Sequence, residues 1–162
     1  MTPSGARSPL DYLVDTNVLL RRVEVGHPLY VRARQALHDL TVAGDVLWVA
    51  AQNLIEFWAV ATRPLTANGL GLTAAQAATE VSNFKTALQL LPDSAAIFAE
   101  WERIVATYAV QGKQAHDARL VAAMKVQGIG RILTFNTGDF TRYAAGERIL
   151  AVDPVGLTVA PP

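Results

Sequence analysis

Residues 10–20 read LDYLVDTNVLL. Leu10 to Val14 is a short run of strand formers that stops at Asp15, and from Asn17 onward the chain can begin a helix. Working outward, the same alternation recurs. Between Pro28 and Gly44 the apolar residues Leu29, Ala33, Ala36, Leu37 and Leu40 repeat at three and four, which predicts a helix with Pro28 in its first turn and Gly44 at its end. Val46 to Ala50 (VLWVA) is a continuous apolar run, the pattern of a strand buried on both faces. Gln52 to Arg63 reads as a helix ended by Pro64, because the residue before proline is pushed out of helical geometry.

After a loop of Pro, Asn and Gly over residues 64–72, Thr73 and Gln76 form a capping box that launches a helix running towards Leu91. Ser94 is placed to cap the next helix, whose stripe Ile97, Trp101, Ile104, Tyr108 is a core face. His116 to Gln127 is a further helix closed by Gly128. Arg131 to Phe135 (RILTF) is a strand running into the turn formers Asn136, Thr137 and Gly138, and Ile149 to Val152 adds a last short strand. Strands alternating with helices predict an α/β fold, a three-layer α/β/α sandwich around a central, mainly parallel sheet. The expected organisation is a flexible lead-in over residues 1–9, one domain over 10–157 and a flexible tail over 158–162.

The composition fits one such domain and excludes several functions. The chain has 162 residues, of which 51% are hydrophobic and 17% charged, enough to bury a core and far from the signature of disorder. It has no cysteine, so thiolate catalysis, disulfides and cysteine-based zinc sites are ruled out. Fourteen basic residues balance fourteen acidic ones, so any nucleic acid must be held by local rather than global charge. The opening MTPSGARSP is too polar for a signal peptide, and no run of about 18 apolar residues exists to span a bilayer. The expected location is the cytoplasm, with no membrane partner.

In an open parallel sheet, ligands bind beyond the carboxyl ends of the strands. Asp15 and Asp139 both fall at that edge. Asp15 alone is readable either as a helix cap or as an acid set against something positive. Asp117 shares a helical face with Leu120, Val121 and Met124, so it points the way the core points; a carboxylate in a helix's first turn is also favoured by the helix dipole. His116 beside it is either a ligand or a polar end group. Glu56 is on the polar face of its helix with Gln52, Asn53 and Arg63, either solvated or lining a cleft. Gathered together, such acids repel, and a divalent cation removes the conflict. Oxygen donors without cysteine or paired histidines suit Mg²⁺ or Mn²⁺, ions that are anchored by one or two carboxylates plus substrate phosphate.

These blocks in this order, LVDTNVLL, NLIEFWAVATRP, HDARLVA and ILTFNTGDF, resemble the PIN-domain family, and within it the VapC-type toxins of toxin-antitoxin pairs, over about residues 10 to 152. The resemblance implies a ribonuclease that hydrolyses RNA phosphodiester bonds with one or two Mg²⁺ or Mn²⁺ ions. It implies Asp15, Glu56 and Asp117 as the recurrent catalytic and metal-binding acids, with Thr16 and Asn17 supporting them by hydrogen bonds. The fourth acidic place falls on Asp139, with Asn136 as a polar contact. A cognate antitoxin and a homodimer are the implied partners. Arg63, Lys113 and Arg119 are candidates to hold the RNA backbone, along with Arg21, Arg22 and Arg142. Phe140 and Tyr143 are either bases' stacking partners or core. Two alternatives carry other chemistry. One is a catalytically silent RNA- or protein-binding module of the same fold; the other is an aspartyl-nucleophile phosphotransferase built on Asp15, against which stands Asn17 where a second aspartate is wanted.

Overall fold

A computed structural model describes residues 7–159. The chain runs β1 (Asp11–Val14), α1 (Thr16–Val23), α2 (Tyr30–Val42), β2 (Val46–Ala50), α3 (Ala51–Ala61), α4 (Ala74–Ala87), β3 (Gln89–Leu91), α5 (Ala95–Thr107), α6 (Gln114–Gln127), β4 (Arg131–Leu133), α7 (Ala144–Glu147) and β5 (Leu150–Val152). Short 3₁₀ turns cover Leu65–Ala67 and Thr137–Tyr143. The five strands form one sheet in the order β3-β2-β1-β4-β5, and every pairing is parallel. The expected α/β/α sandwich is what the chain adopts.

Alternate residues of each strand feed two separate cores. Tyr12, Val14, Leu47, Val49 and Leu133 point into a layer with α1, α2, α3 and Phe84 of α4. Leu13, Ala50, Leu91 and Ile132 point the other way, onto Ile97 and Ile104 of α5 and the long buried face of α6. That period-two division is why the strands read as unbroken apolar runs: both faces are covered. Each buried Leu, Ile, Val or Phe contributes roughly 1.5–3 kcal/mol. α6 is buried at Ala118 and at Leu120 through Met124, wedged between the sheet and α5, and Gly128 ends it at φ +71°, a left-handed conformation that glycine adopts without strain.

The helix expected to run from Thr73 to Leu91 stops earlier. α4 ends at Ala87, and Gln89–Leu91 pairs with Trp48–Ala50 as the fifth strand, at the sheet's edge. The alanines carry no information about the break. The strand forms because β2 offers an open edge to a QLL segment whose Leu91 can be buried.

The flexible ends expected over 1–9 and 158–162 fall partly outside the described residues, at 1–6 and 160–162. Of the rest, Arg7 is paired in bidentate fashion with the buried Asp45 at 2.7 Å, and Asp45 also accepts from the Leu10 N–H at 2.8 Å, so the entry to β1 is tied to the entry to β2. Among the described residues no helix is long and apolar enough to cross a membrane.

Candidate active site

Strand order reverses direction at β1: the chain winds outward through β2 and β3, then returns to lay β4 on the other side of β1. The gap between the carboxyl ends of β1 and β4 is therefore the switch point where a parallel sheet opens a crevice. Asp15 follows β1 directly, and Thr134 follows β4.

Asp15 is 8% exposed and is held by three donors. Its Oδ1 accepts from the Thr16 N–H at 2.7 Å, the capping bond that starts α1. Its Oδ2 accepts from Thr134 Oγ1 at 2.8 Å and from Asn17 Nδ2 at 3.1 Å. Asn17 in turn accepts from the Phe135 N–H at 3.1 Å, so one amide bridges the two strand ends. The cap and the charged-site readings of Asp15 thus describe the same residue.

Glu56, half-buried on the second turn of α3, is fixed at both oxygens. Oε2 accepts from Thr16 Oγ1 at 2.9 Å, and Oε1 accepts from Gln52 Nε2 at 2.8 Å. Behind them lies Asn53, fully buried rather than on the polar face that its spacing predicts. Its Nδ2 donates to Thr16 Oγ1 at 3.2 Å, and its Oδ1 accepts from the Ala50 N–H at 3.1 Å. Asn53 and Thr134 are the residues that sequence reasoning did not single out. The only signals were a polar residue three positions after an apolar strand and a threonine at the end of RILTF.

Asp117 is half-buried in the first turn of α6, and Asp139 is exposed in the 3₁₀ turn after β4. The acids share one electrostatic field. Burial, and then the charges of Asp15, Asp139 and Glu56, push Asp117 up to about 6, with His116 opposing. Burial also raises Asp15 to about 6 against the Thr134 and Thr16 hydrogen bonds, and Glu56 and Asp139 raise it further. No lysine or arginine pairs with either acid among the described residues. Asn136 is exposed beside this group, and its N–H donates to Thr134 Oγ1 at 3.0 Å.

The donor chemistry fits a hard divalent cation: oxygen ligands only, surplus negative charge, and carboxyl pKa values raised by burial and by the neighbouring acids. Among the described residues no group of three or more acidic or histidine side chains lies close enough together to hold a metal ion as they stand. Ligation by one or two carboxylates completed by water and phosphate oxygens is compatible with such an open arrangement.

Of the basic candidates, Arg21 pairs with Glu24, Arg22 approaches Glu80 at 3.9 Å, and Arg119 pairs with Asp93 at 2.9 Å. Arg63, Lys113 and Arg142 are exposed, with no ion-pair partner among the described residues. Phe140 and Tyr143 are both 1% exposed in the core beneath α6. Stacking of a base on either is excluded by that burial.

Comparison with known proteins agrees with this fold. The chain has the fold of VapBC2 from Rickettsia felis, solved bound to a promoter DNA fragment (TM-score 0.65, 12% identity, covering 89% of this chain and 98% of that one). It is similar in the same way to VapBC-1 from nontypeable Haemophilus influenzae (0.65, 14%, 90% and 99%) and to the sarcin-ricin-loop-cleaving toxin VapC20 of Mycobacterium tuberculosis (0.62, 18%, 93% and 99%). No curated protein matches the chain significantly in sequence. The PIN domain family profile matches residues 12–146, which take in β1 from its second residue, the switch point and all four acids, and the chain belongs to the PIN-domain family.

Proposed function

We propose that this protein is a Mg²⁺- or Mn²⁺-dependent endoribonuclease and the toxin of a toxin-antitoxin pair, working in the cytoplasm. The observation that carries the reading is the shared electrostatic field of Asp15, Glu56, Asp117 and Asp139, from four separate segments, with no lysine or arginine paired to Asp15 or Asp117 among the described residues. The toxin assignment draws on the fold neighbours, which include toxin-antitoxin complexes.

A bound divalent ion supplies a more acidic water and stabilises charge on the phosphate oxygens. Asp15 and Asp117 are the residues to hold it, with Asp139 as a further ligand. Asp15 is pre-oriented by Thr16, Asn17 and Thr134, so ligation costs it little ordering. Among the described residues no side chain donates a hydrogen bond to Asp117, which leaves its oxygens available to the ion. Glu56, locked between Thr16 and Gln52, orients the attacking water. Lys113 and Arg63 hold the RNA backbone, and Asn136 is a polar contact. No protein nucleophile is needed.

A binding module without turnover is favoured by one observation, the open arrangement of the acids among the described residues. Labelled structured and single-stranded RNAs incubated with the purified chain in Mg²⁺, Mn²⁺ or EDTA separate the two. The nuclease gives cuts that EDTA abolishes; RNA retention without cuts in either ion supports the module. The antitoxin and a second copy of the chain are the expected protein partners, and Phe98 (61% exposed), stacked on Trp101 at 5.5 Å, is among the apolar groups available to them. Sedimentation that finds only monomer refutes the dimer.

A further inference from the structure

Beside the acids, the first two turns of α3 and the start of α6 border an open pocket of about 480 Å³. Glu56 belongs to both places, since it lines the pocket and is bonded to Thr16 in the cleft. The pocket has different chemistry from the cleft. Ile55, 69% exposed, presents a large aliphatic face to water immediately beside a charged site. An amide, an imidazole and a guanidinium stand around it, from Gln52, His116 and Arg119.

The amide and the guanidinium are positioned rather than loose. Gln52 Nε2 donates to Glu56 Oε1 and, at 2.9 Å, to the His116 carbonyl. Arg119 donates to Gln52 Oε1 at 3.3 Å and to Asp93 Oδ1 at 2.9 Å. Asp93 balances the Arg119 charge, so the pocket is a poor phosphate site. An apolar face with planar donors and acceptors at its rim suits an unpaired nucleobase, which needs a surface for its ring and hydrogen bonds for its edge.

We propose that this pocket receives the unpaired base of a nucleotide flanking the scissile phosphodiester, with Ile55 as its platform and the Gln52 Oε1 acceptor and Arg119 N–H donors reading its edge. The assignment rests on the nuclease reading and adds a specificity-determining residue, Ile55, outside the acid cluster. Cleavage kinetics of a single-stranded RNA test it, using the wild type and Ile55→Ala on intact RNA and on RNAs carrying an abasic ribose at each position next to the cut. Alanine on an exposed helical turn preserves the helix. One abasic position is expected to lower wild-type kcat/KM about tenfold, the effect of leaving the Ile55 face uncovered and the base-edge hydrogen bonds unmade. Ile55→Ala lowers it similarly on intact RNA, and the two losses do not multiply. Unchanged rates in Ile55→Ala, or losses that multiply independently, overturn the subsite while wild-type cleavage keeps the nuclease reading; the exposed Ile55 face is then left to a protein contact. Absence of any metal-dependent cleavage by the wild type removes the nuclease reading and the subsite with it.

Discussion

Replacing Asp117 by Asn keeps the shape of the side chain and removes its charge, and the metal-free protein is expected to become more stable for it. Asp117 is raised from the usual aspartate value of about 4 to about 6. An acid whose folded pKa lies above its unfolded one keeps its proton longer in the native state. Ionisation therefore favours the unfolded chain as pH rises from about 4 to about 6, and the penalty is constant above that. A rise of that size corresponds to roughly 3 kcal/mol, at about 1.36 kcal/mol per pH unit. Asp117 is half-buried, so solvent screening leaves about 1–2 kcal/mol. For a domain of this size that amounts to about 3–6 °C in Tm. Thermal melts in EDTA at pH 7.5 and pH 4.5 measure it. The Asp117→Asn variant is expected to give the higher Tm at pH 7.5, and its advantage shrinks at pH 4.5, where the native wild type is already protonated. A variant that is less stable at pH 7.5, or one whose gain is equal at both pH values, refutes the electrostatic account of the cluster.

Mn²⁺ at about 100 times its Kd stabilises a protein by about 2.7 kcal/mol, and the wild type is expected to gain about 5–10 °C at pH 7.5; Asp117→Asn gains much less, and equal gains point to binding elsewhere. Asn53→Leu strands the Ala50 N–H and loosens Thr16, costing about 1–3 kcal/mol in a urea melt; no change means that the amide is dispensable. On α7, Glu147 is buried, and although burial alone raises its pKa, Arg103, Tyr108 and Lys125 hold it below the usual value. Glu147→Ala should cost about 3–5 kcal/mol by breaking that group, read as a lower urea midpoint with nuclease activity per folded molecule unchanged.

Much of the fold could be read from the chain because its strands are buried on both faces and its helices carry one-sided stripes. LDYLV, VLWVA and RILTF each gave a parallel strand, and Leu120, Val121 and Met124 placed α6 against the sheet. Gln89–Leu91 was illegible because an edge strand of three residues takes its identity from the partner it pairs with, not from periodicity. Among the acids, Asp15 and Asp117 were marked by sitting where apolar residues belong. The polar scaffold around them was hidden: Asn53 and Thr134 are ordinary residues until the fold sets them within hydrogen-bonding reach of Thr16 and Asp15, at 3.2 and 2.8 Å. Phe140 and Tyr143 could not be assigned from sequence, since an aromatic residue after a turn has no phase, and only packing under α6 fixed them as core.

The acid cluster is proposed as a metal-dependent nuclease centre. Its most direct test is cleavage of end-labelled RNA in Mn²⁺ at pH 7.5 by the wild type, Asp15→Asn and Asp117→Asn, each verified as folded. The wild type is predicted to give cuts that EDTA abolishes and that fall at least about a hundredfold in either variant, a loss of roughly 2.7 kcal/mol in the barrier. Equal cleavage by all three proteins contradicts it.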